Sequence, residues 1–420
     1  MTTERAEYLA LDLPDDPEAL VGALLTDPFQ TDPYPFYNRL RTLAPVYRSE
    51  SGLWFASEYA ACETLFRSPA FGVGLRLRDN PRFEDSSSLQ LLGHMMPFLD
   101  PPDHTRVRRS VSSFFVPRAV QHLRAFATQL IDRLLDQVEA AGGGDLLGDF
   151  ARQIPIAVMC EMLGGVATDD QERCCAWSDA LVEASQPVTD DAMLARADAA
   201  ADEFRAYFGH IIESRRARPA DDMMGTMVAE NDRTGTLSED EFLAMTTILV
   251  GAAYHNTANA IANGIWTLLH HPRQMALLRG QPERGKAAVE ELLRFEPPAQ
   301  LTIPRVAAED VELGGVTIPA GELVCGVLGA AHRDPLRYQN PDQLDIARDD
   351  GGSLALAFGI HSCIGAAVAR LETEIAITRF VERFADITIV NAEPVLHTAC
   401  LPSLRSFEAL TVRVRASVGI

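Results

Sequence analysis

The chain has 420 residues, of which 47% are hydrophobic. It contains 37 Lys and Arg and 59 Asp and Glu, which gives a net charge of −22. This charge repels polyphosphates and no Lys/Arg-rich tract offsets it, so nucleic acid is not an expected partner. The first residues, MTTERAEYLALDLPDD, lack the basic and apolar regions of a signal peptide, and no run of 18 apolar residues follows. We therefore expect a soluble, cytoplasmic protein without a membrane anchor.

The predicted elements are mostly helical. Strand patterns are confined to three places, namely APVYRSESGLWFAS near the start, VELGGVTIPAGELV with a turn at Gly314 and Gly315, and the tail segments ADITIV and ALTVRVR. Between the first two, residues 118–295 show helical apolar spacing, and SEDEFLAMTTILVGAAYHNTANAIANGIWTLLHH predicts one long helix because it begins with a Ser cap and contains no proline. No repeat or long linker divides the chain, so we predict a single domain over residues 1–420 that is mainly α with small β-sheets.

The stretch AFGIHSCIGAAVARLE, residues 357–372, places Cys363 between two glycines and ahead of a helical apolar stripe. Gly359 and Gly365 allow the backbone to turn tightly and to approach a flat ligand, and the amides of residues 364–366 can point at the sulfur. A helix that starts there adds positive potential, so the site is expected to favour the thiolate. Taken alone, the pattern also fits a buried cysteine in a loop before a helix. The seven cysteines form no CxxC pair, which argues against a disulfide framework or a structural zinc site.

This loop resembles the haem-binding loop of cytochromes P450, although Ala355 or Leu356 stands where the outer Phe of that family is expected. The matching residues are Phe358, Gly359, His361, Cys363 and Gly365. Further stretches resemble the family in the same order along the chain, namely DPYPFYNRLRTLAPV, PPDHTRVRR, EELLRFEPP, GGVTIPAGE and AHRDPLRYQNPDQLDIAR. The resemblance implies the cytochrome P450 fold, a triangular helical prism with a β-rich edge. It also implies haem b as cofactor, Cys363 as the protein's ligand to the iron, and O2 as co-substrate.

The resemblance further indicates which residues contact the haem. His104 and Arg108 are i,i+4 neighbours on a helix that should start after the prolines of PPDHTRVRR, so both side chains can reach one propionate. Arg305 in LTIPRVAAED and His361 match two more propionate contacts of the family. Phe358 and Gly365 complete the cofactor-binding set that the loop pattern implies.

In EELLRFEPP, Glu291 and Arg294 have the i,i+3 spacing at which a carboxylate and a guanidinium bridge on a helix. They match the Glu-x-x-Arg pair of the family, which implies a structural rather than a chemical role. The family often completes this pair with a later Arg, but the corresponding place in PDQLD is Gln343, so the sequence leaves the third partner open.

Cytochromes P450 usually carry an acid and an alcohol in the long central helix, where they help to deliver the protons that O–O bond cleavage requires. Here the resemblance places Ala252 and Ala253 at the Ala-Gly step, His255 at the acid and Asn256 at the alcohol. A slip of one residue would put Thr257 at the alcohol and Asn256 at the acid, and neither register has a carboxylate. His255 is able to donate protons near neutral pH and Asn256 to hold a water or the substrate, while a hydroxyl or amine on the substrate is the alternative donor. The predicted catalytic residues are His255, Asn256 and Thr257.

By the same resemblance, the substrate pocket is lined by residues 73–98, 181–205, 252–257, 298–303 and 401–407. The segment SSSLQLLGHMMPF supplies a flexible apolar wall suited to a medium or bulky substrate, and the same residues equally fit packing in the core. The predicted pocket residues are Leu89, Leu92, Met95, Met96, Ala252, Gln300, Thr302 and Leu404. Polar candidates for orienting a substrate carboxylate or amide are Arg76, His94, Asn256, Gln300 and Arg405.

The sequence shows no fused flavin region, so the resemblance implies that electrons come from a separate ferredoxin and ferredoxin reductase. Such partners are usually acidic, and Arg106, Arg109 and Arg118 are candidates for a basic docking patch. We expect the chain to be a monomer. The expected function is haem-thiolate monooxygenation, by which a small-molecule secondary metabolite is hydroxylated or epoxidised. The alternatives are a P450-type oxidase that couples, desaturates or rearranges its substrate without net oxygen insertion, and a haem-binding sensor that does not turn over.

Overall fold

The computed structural model describes residues 13–24, 32–73, 77–184, 190–349, 352–397 and 404–416. In these ranges the α-helices are α1 (Pro17–Leu24), α2 (Tyr34–Leu43), α3 (Tyr59–Arg67), α4 (Ser87–Gly93), α5 (Asp103–Val111), α6 (Pro117–Val120), α7 (Leu123–Ala141), α8 (Gln153–Leu163), α9 (Gln171–Ala184), α10 (Asp191–Ala217), α11 (Met223–Thr234), α12 (Glu239–His270), α13 (Pro272–Gly280), α14 (Gly285–Phe295), α15 (Leu328–Ala331) and α16 (Ala366–Arg383). None of the helices in this part of the chain is long and apolar enough to cross a membrane.

Three small sheets accompany the helices. The strands are β1 (Val46–Arg48), β2 (Trp54–Ala56), β3 (Phe71–Val73), β4 (Gly143–Asp145), β5 (Arg305–Ala307), β6 (Val311–Leu313), β7 (Val316–Ile318), β8 (Leu323–Gly326), β9 (Phe384–His397) and β10 (Leu404–Ala416). The largest sheet has the order β1-β2-β8-β5-β3, the second β4-β10-β9, and β6 and β7 form a separate hairpin. Among the strands of the described residues, only β2 and β8 pair in parallel, with Phe55 opposite Cys325.

The mainly α fold class is confirmed, and so are the strand predictions near the start, at the Gly314 and Gly315 hairpin and in the tail. The expectation that strands are confined to those places is wrong, because β3, β4 and β5 lie outside them. Each of these strands has three residues. A strand that short shows too little alternation of apolar and polar residues to be recognised in a sequence.

The long helix α12 is confirmed and starts with a capping box. The Ser238 side chain accepts from the Glu241 N–H at 3.2 Å, and the Glu241 carboxylate accepts from the Ser238 N–H at 2.9 Å. The helix then passes through the main hydrophobic core, where Ile261 and Leu268 are completely buried. Burial of one such aliphatic side chain contributes about 1.5–3 kcal/mol. The cap and the core together fix the helix along which the predicted catalytic residues lie.

The helix that follows the cysteine loop, α16, packs directly on α12. Gly264 makes the close approach possible, since a Cβ at this position would lie 2.6 Å from the Ile377 Cδ1 atom. On the α16 side, Val368, Leu371 and Ile375 are buried, as the apolar stripe predicts. The start of α16, and with it the cysteine loop, is therefore held at a fixed place relative to α12.

Candidate active site

Cys363 lies between a 3-10 turn, Gly359–His361, and the start of α16. The Cys363 N–H donates to the Leu356 carbonyl at 2.8 Å, and the Gly365 N–H donates to the thiol sulfur. Gly359 has φ +71°, and a Cβ there would lie 2.2 Å from the Phe66 carbonyl oxygen at the end of α3. The loop therefore needs glycine at this position, both for its conformation and for its approach to α3.

The Cys363 side chain is exposed, yet burial raises the pKa of its thiol. The two observations are consistent because a sulfur in a narrow cleft is reached by water while protein surrounds it on most sides. The Gly365 N–H and the charges of Arg108 and Arg370 act in the opposite direction without outweighing burial. The expectation that the loop alone favours the thiolate is thus wrong, and a thiolate here requires a bound cation such as a metal ion.

Three side chains near this loop have buried nitrogen atoms without a hydrogen-bond partner. They are both ring nitrogens of His104 on α5, Nε2 of His361 and Nε of Arg305 on β5. The rings of His104 and His361 have their centroids 4.2 Å apart, and Arg108 donates from Nη2 to the Ser362 hydroxyl at 3.2 Å. Buried donors without partners cost free energy. The structure therefore brings all four predicted propionate contacts together around a place where acceptors are missing.

The electrostatics of these four side chains indicate the charge of the missing partner. Burial, and after it the charges of Arg305, His104 and Arg108, lowers the pKa of His361 to about 3. Burial also lowers the pKa of His104, Arg108 and Arg305, and Asp100 is the carboxylate that opposes the shifts of His104 and Arg305. An anion with two carboxylates would satisfy the orphaned donors and offset these shifts. The residues present therefore fit a haem with its two propionates beside a free thiol.

Helix α12 presents one face toward the same region. Ala252 is exposed although it lies midway along this helix, and Asn256, one turn later, is half-buried. One turn further, Ala260 belongs to a small apolar cluster against which Leu356 of the cysteine loop packs. Thr257, by contrast, is buried with 5% of its surface exposed. The face that contains Ala252 and Asn256 therefore borders open space on the side of the cysteine loop.

His255 points to a neighbouring helix, where it meets a carboxylate that the sequence did not indicate. Its Nε2 lies 2.8 Å from Oδ1 of Asp179 on α9. The two atoms are in close contact, although the ring nitrogen does not form an aligned hydrogen bond with this oxygen. No spacing rule connects residues 179 and 255, because the pair exists only through the packing of two helices.

Glu291 and Arg294 form a buried bidentate pair at the end of α14, with Arg294 Nε and Nη2 donating to the carboxylate at 2.7 and 2.8 Å. The third partner is Arg348, whose Nε donates to Glu291 at 3.2 Å. Gln343, which stands at the position expected for that partner, contributes its backbone carbonyl instead, and this oxygen accepts from both Arg294 and Arg348. The third arginine was missed because it lies five positions after the place that the family pattern indicated.

Four of the predicted apolar pocket residues lie on or directly after α4. Leu89, Leu92, Met95 and Met96 are all buried in the main core cluster. The start of α4 is held by Asp198 on α10, whose Oδ1 accepts from the Ser86 and Ser88 hydroxyls at 2.6 and 2.7 Å and from the Ser88 N–H at 2.9 Å.

Several predicted polar pocket residues have protein partners. Gln300 donates to the Pro297 carbonyl at 2.7 Å, the Thr302 hydroxyl accepts from the Gly326 N–H at 2.8 Å, and the guanidinium of Arg405 pairs with Glu296 at 2.6 Å. His94 contacts the Gln90 carbonyl at 2.8 Å, and Leu404 forms a backbone bridge with Ala299. Residues 74–76, which include Arg76, and residues 185–189 and 401–403 of the predicted pocket lie outside the described residues.

The predicted basic docking patch is smaller than expected. Arg106 is bound to Glu241 at 2.6 Å and to Asp103 at 2.7 Å, so its charge is neutralised within the protein. Arg109 and Arg118 are exposed. Next to them, the apolar side chains of Val116 and Ile360 have 47% and 50% of their surface exposed.

A mainly α fold with a free thiol beside orphaned cationic donors fits a haem-thiolate protein, and comparison with known proteins defines the family. Residues 285–400 match the model of the family Cytochrome P450. The chain is 37% identical over 402 residues to cytochrome P450 monooxygenase PikC of Streptomyces venezuelae, with 94% of each chain covered. It is 35% identical over 348 residues to mycinamicin IV hydroxylase/epoxidase of Micromonospora griseorubida, with 82% of this chain and 85% of that relative covered.

A solved structure shows the same fold. The cytochrome P450 enzyme CxnD for C–S bond formation in chuangxinmycin biosynthesis superposes with a TM-score of 0.82 at 32% identity, over 92% of this chain and 97% of that chain. The chain belongs to the cytochrome P450 family. It is a P450 monooxygenase, as the sequence predicts, and family membership brings a haem cofactor, the use of O2, a small-molecule substrate and redox partners.

Proposed function

We propose that this P450 hydroxylates or epoxidises a small molecule of secondary metabolism, with haem b as cofactor and electrons supplied by a ferredoxin and its reductase. The observation that carries the proposal is the convergence of orphaned buried donors around the exposed thiol of Cys363. The similarity to mycinamicin IV hydroxylase/epoxidase supports the class of reaction. The exposed Arg109 and Arg118 are the candidates for contact with an acidic ferredoxin.

Residues of the cysteine loop, of α5 and of β5 would hold the cofactor. Cys363 would be the protein's ligand to the haem iron, and Phe358 and Gly365 would shape the loop around it. His104, Arg108, Arg305 and His361 would bind the propionates. When bound, a thiolate-ligated haem activates O2 for the transfer of one oxygen atom to a C–H or C=C bond of the substrate.

Helix α12 is proposed to handle protons through His255 and Asn256. The exposure of Ala252 and Asn256 on one face, with Thr257 buried, favours the register in which Asn256 occupies the alcohol position. Asn256 then holds a water or a polar group of the substrate within the open space, since its amide both donates and accepts. His255 lies one residue earlier and is the titratable group of this part of the helix.

The substrate is proposed to be bulky and largely apolar. Leu89, Leu92, Met95 and Met96, which are buried in the main core cluster, would supply its apolar wall, and the two methionines adapt to irregular shapes. Gln300, Thr302 and Arg405 already have protein partners, so orientation by polar groups falls mainly to Asn256. A substrate with one or two hydroxyl, amine or carbonyl groups on a hydrophobic framework suits such a pocket.

A second candidate function is oxidation without net oxygen insertion, as in ring coupling or desaturation. Two observations favour it. Neither register of α12 places a carboxylate at the acid position, and one structure of the same fold, at 32% identity, belongs to an enzyme for C–S bond formation. A substrate whose own hydroxyl or thiol takes part in the reaction would fit this alternative.

The two functions are separated by isotopic labelling. Secondary-metabolite libraries are first screened for compounds that shift the spin state of the haem, which indicates displacement of an iron-bound water. The compounds that do so are incubated with the enzyme, NADPH, a surrogate ferredoxin and its reductase under ¹⁸O-labelled dioxygen. Incorporation of one labelled oxygen atom per product supports hydroxylation or epoxidation. A product that has lost two hydrogens and gained no label would contradict it and support the oxidase.

A further inference from the structure

The contact between His255 and Asp179 lies between the interior of the protein and its surface. Asp179 has 53% of its side chain exposed and His255 has 25%. The Nε2 atom that faces Asp179 is nevertheless buried. The carboxylate can therefore exchange protons with bulk water, whereas the imidazole nitrogen meets solvent mainly through this carboxylate.

Neighbouring contacts fix the two helices at this point. Tyr254 and Cys175 share a side-chain hydrogen bond, with Cys175 one turn before Asp179 on α9. Gly251 lies against Ser178, since a Cβ at Gly251 would be 3.3 Å from the Ser178 hydroxyl oxygen. These contacts hold residues 251–255 of α12 against α9. The separation of the two helix backbones at Asp179 and His255 is thus set by packing.

We propose that Asp179 is a positioning residue that orients His255 and connects it with solvent protons, so that α9 supplies the carboxylate absent from the acid position of α12. The inference rests on the proposed function, in which His255 and Asn256 handle protons. His255 releases one proton toward the water held by Asn256 and regains one from solvent through the Asp179 carboxylate. Each turnover therefore leaves both side chains with the charge they had before.

The test uses the holoenzyme without an added substrate, so that the probe is dioxygen itself. The variants are Asp179→Asn, which removes the charge, and Asp179→Glu, which retains it. The matched control is Glu172→Gln, because Glu172 is an exposed carboxylate on the same helix α9. With NADPH, a surrogate ferredoxin and its reductase, the electrons that reach dioxygen are recovered as hydrogen peroxide or as water. The assay measures the ratio of these two products.

The second readout is spectroscopic and independent of turnover. In the reduced, carbon monoxide-bound holoenzyme, which is diamagnetic, the imidazole N–H proton of His255 is identified by its absence in His255→Gln. The negative charge of a carboxylate 2.8 Å from Nε2 moves such a proton downfield, even where the two groups are not aligned as a hydrogen bond. We expect the downfield position in the unaltered protein, in Glu172→Gln and in Asp179→Glu, and an upfield shift in Asp179→Asn.

We expect Asp179→Asn to raise the ratio of peroxide to water by about tenfold, the size typical of outer-shell partners, and Asp179→Glu to restore most of it. Glu172→Gln should leave the ratio unchanged. The inference is overturned if Asp179→Asn matches Glu172→Gln in either readout while all variants keep the thiolate-type carbon monoxide spectrum. Loss of that spectrum in the unaltered protein would instead overturn the proposed function.

Discussion

Replacing Glu291 with Gln should destabilise the protein strongly. The carboxylate accepts from Arg294 at 2.7 and 2.8 Å, from Arg348 at 3.2 Å and from the Asp345 N–H at 2.9 Å. The side chains of Glu291, Arg294 and Arg348 are only 2%, 3% and 11% exposed. Glutamine keeps the shape but removes the charge, and so leaves the buried guanidinium of Arg294 without the carboxylate that it pairs with.

The adjacent residue provides a matched control for the size of this effect. Removing one partner of a buried ion pair costs about 3–5 kcal/mol, because the remaining charge is left buried. Glu290 pairs with Arg370, but these side chains are 39% and 45% exposed. Exposed pairs contribute about 0–1 kcal/mol. Glu290→Gln changes the same chemical group one position earlier on α14 and should have little effect.

Equilibrium unfolding in urea, followed by far-UV circular dichroism on the holoenzyme, measures both variants. We expect the free energy of unfolding to fall by about 3–5 kcal/mol in Glu291→Gln and by less than about 1 kcal/mol in Glu290→Gln. Haem absorbance recorded on the same samples shows whether cofactor loss coincides with unfolding. Equal losses in the two variants would refute the view that the buried triad holds α14 to the segment around Arg348.

Three further predictions concern stability and haem retention. Burial raises the pKa of Glu372 to about 8, above the ordinary value of 4.5. Between these pH values the folded state holds a proton that the unfolded state has released, so the free energy of unfolding should fall by about 1.4 kcal/mol per pH unit as the pH rises from about 5 to 8. Urea unfolding across that range should show a flatter slope for Glu372→Gln. Gly359→Ala should impair haem incorporation, measured as the ratio of haem to protein absorbance, because it adds a clash with Phe66 to the cost of a positive φ. The control is Gly321→Ala, which has φ +84° and open space around its Cβ and should lower the free energy of unfolding by only about 1–2 kcal/mol. Equal haem content in the two variants would count against the clash. Arg305→Leu should speed haem transfer to apomyoglobin about tenfold, since it removes a buried donor. Arg118 is exposed, so Arg118→Leu should leave the transfer rate unchanged. Equal transfer rates in the two variants would exclude Arg305 as a propionate contact.

The sequence predicted well those features that depend on local pattern. The capping residue of α12, the Gly314 and Gly315 turn and the apolar stripe of α16 all appear where the spacing placed them. Several collinear motifs, rather than the cysteine loop alone, indicated the family. The four predicted propionate contacts come from separate stretches of the chain, and the fold brings them together.

Features that depend on packing between distant segments were not predicted. Asp179 meets His255 only because α9 lies across α12. Arg348 replaces the arginine expected at position 343 because the intervening loop brings its guanidinium, and not the Gln343 side chain, to Glu291. The pKa of the Cys363 thiol is raised because burial outweighs the nearby N–H group and arginines. The burial of the sulfur depends on segments that are distant along the chain, so a pattern of glycines does not predict it.

The central claim is that Cys363 ligates a haem iron as thiolate, and the carbon monoxide difference spectrum of the reduced protein tests it most directly. We expect the thiolate-type band in the unaltered protein and in Cys175→Ser, which alters a thiol on α9 away from the loop. Cys363→Ala should lose the band while its far-UV circular dichroism still shows a folded, mainly α protein. Retention of the band in Cys363→Ala, or its absence from the unaltered protein with haem bound, would contradict the account.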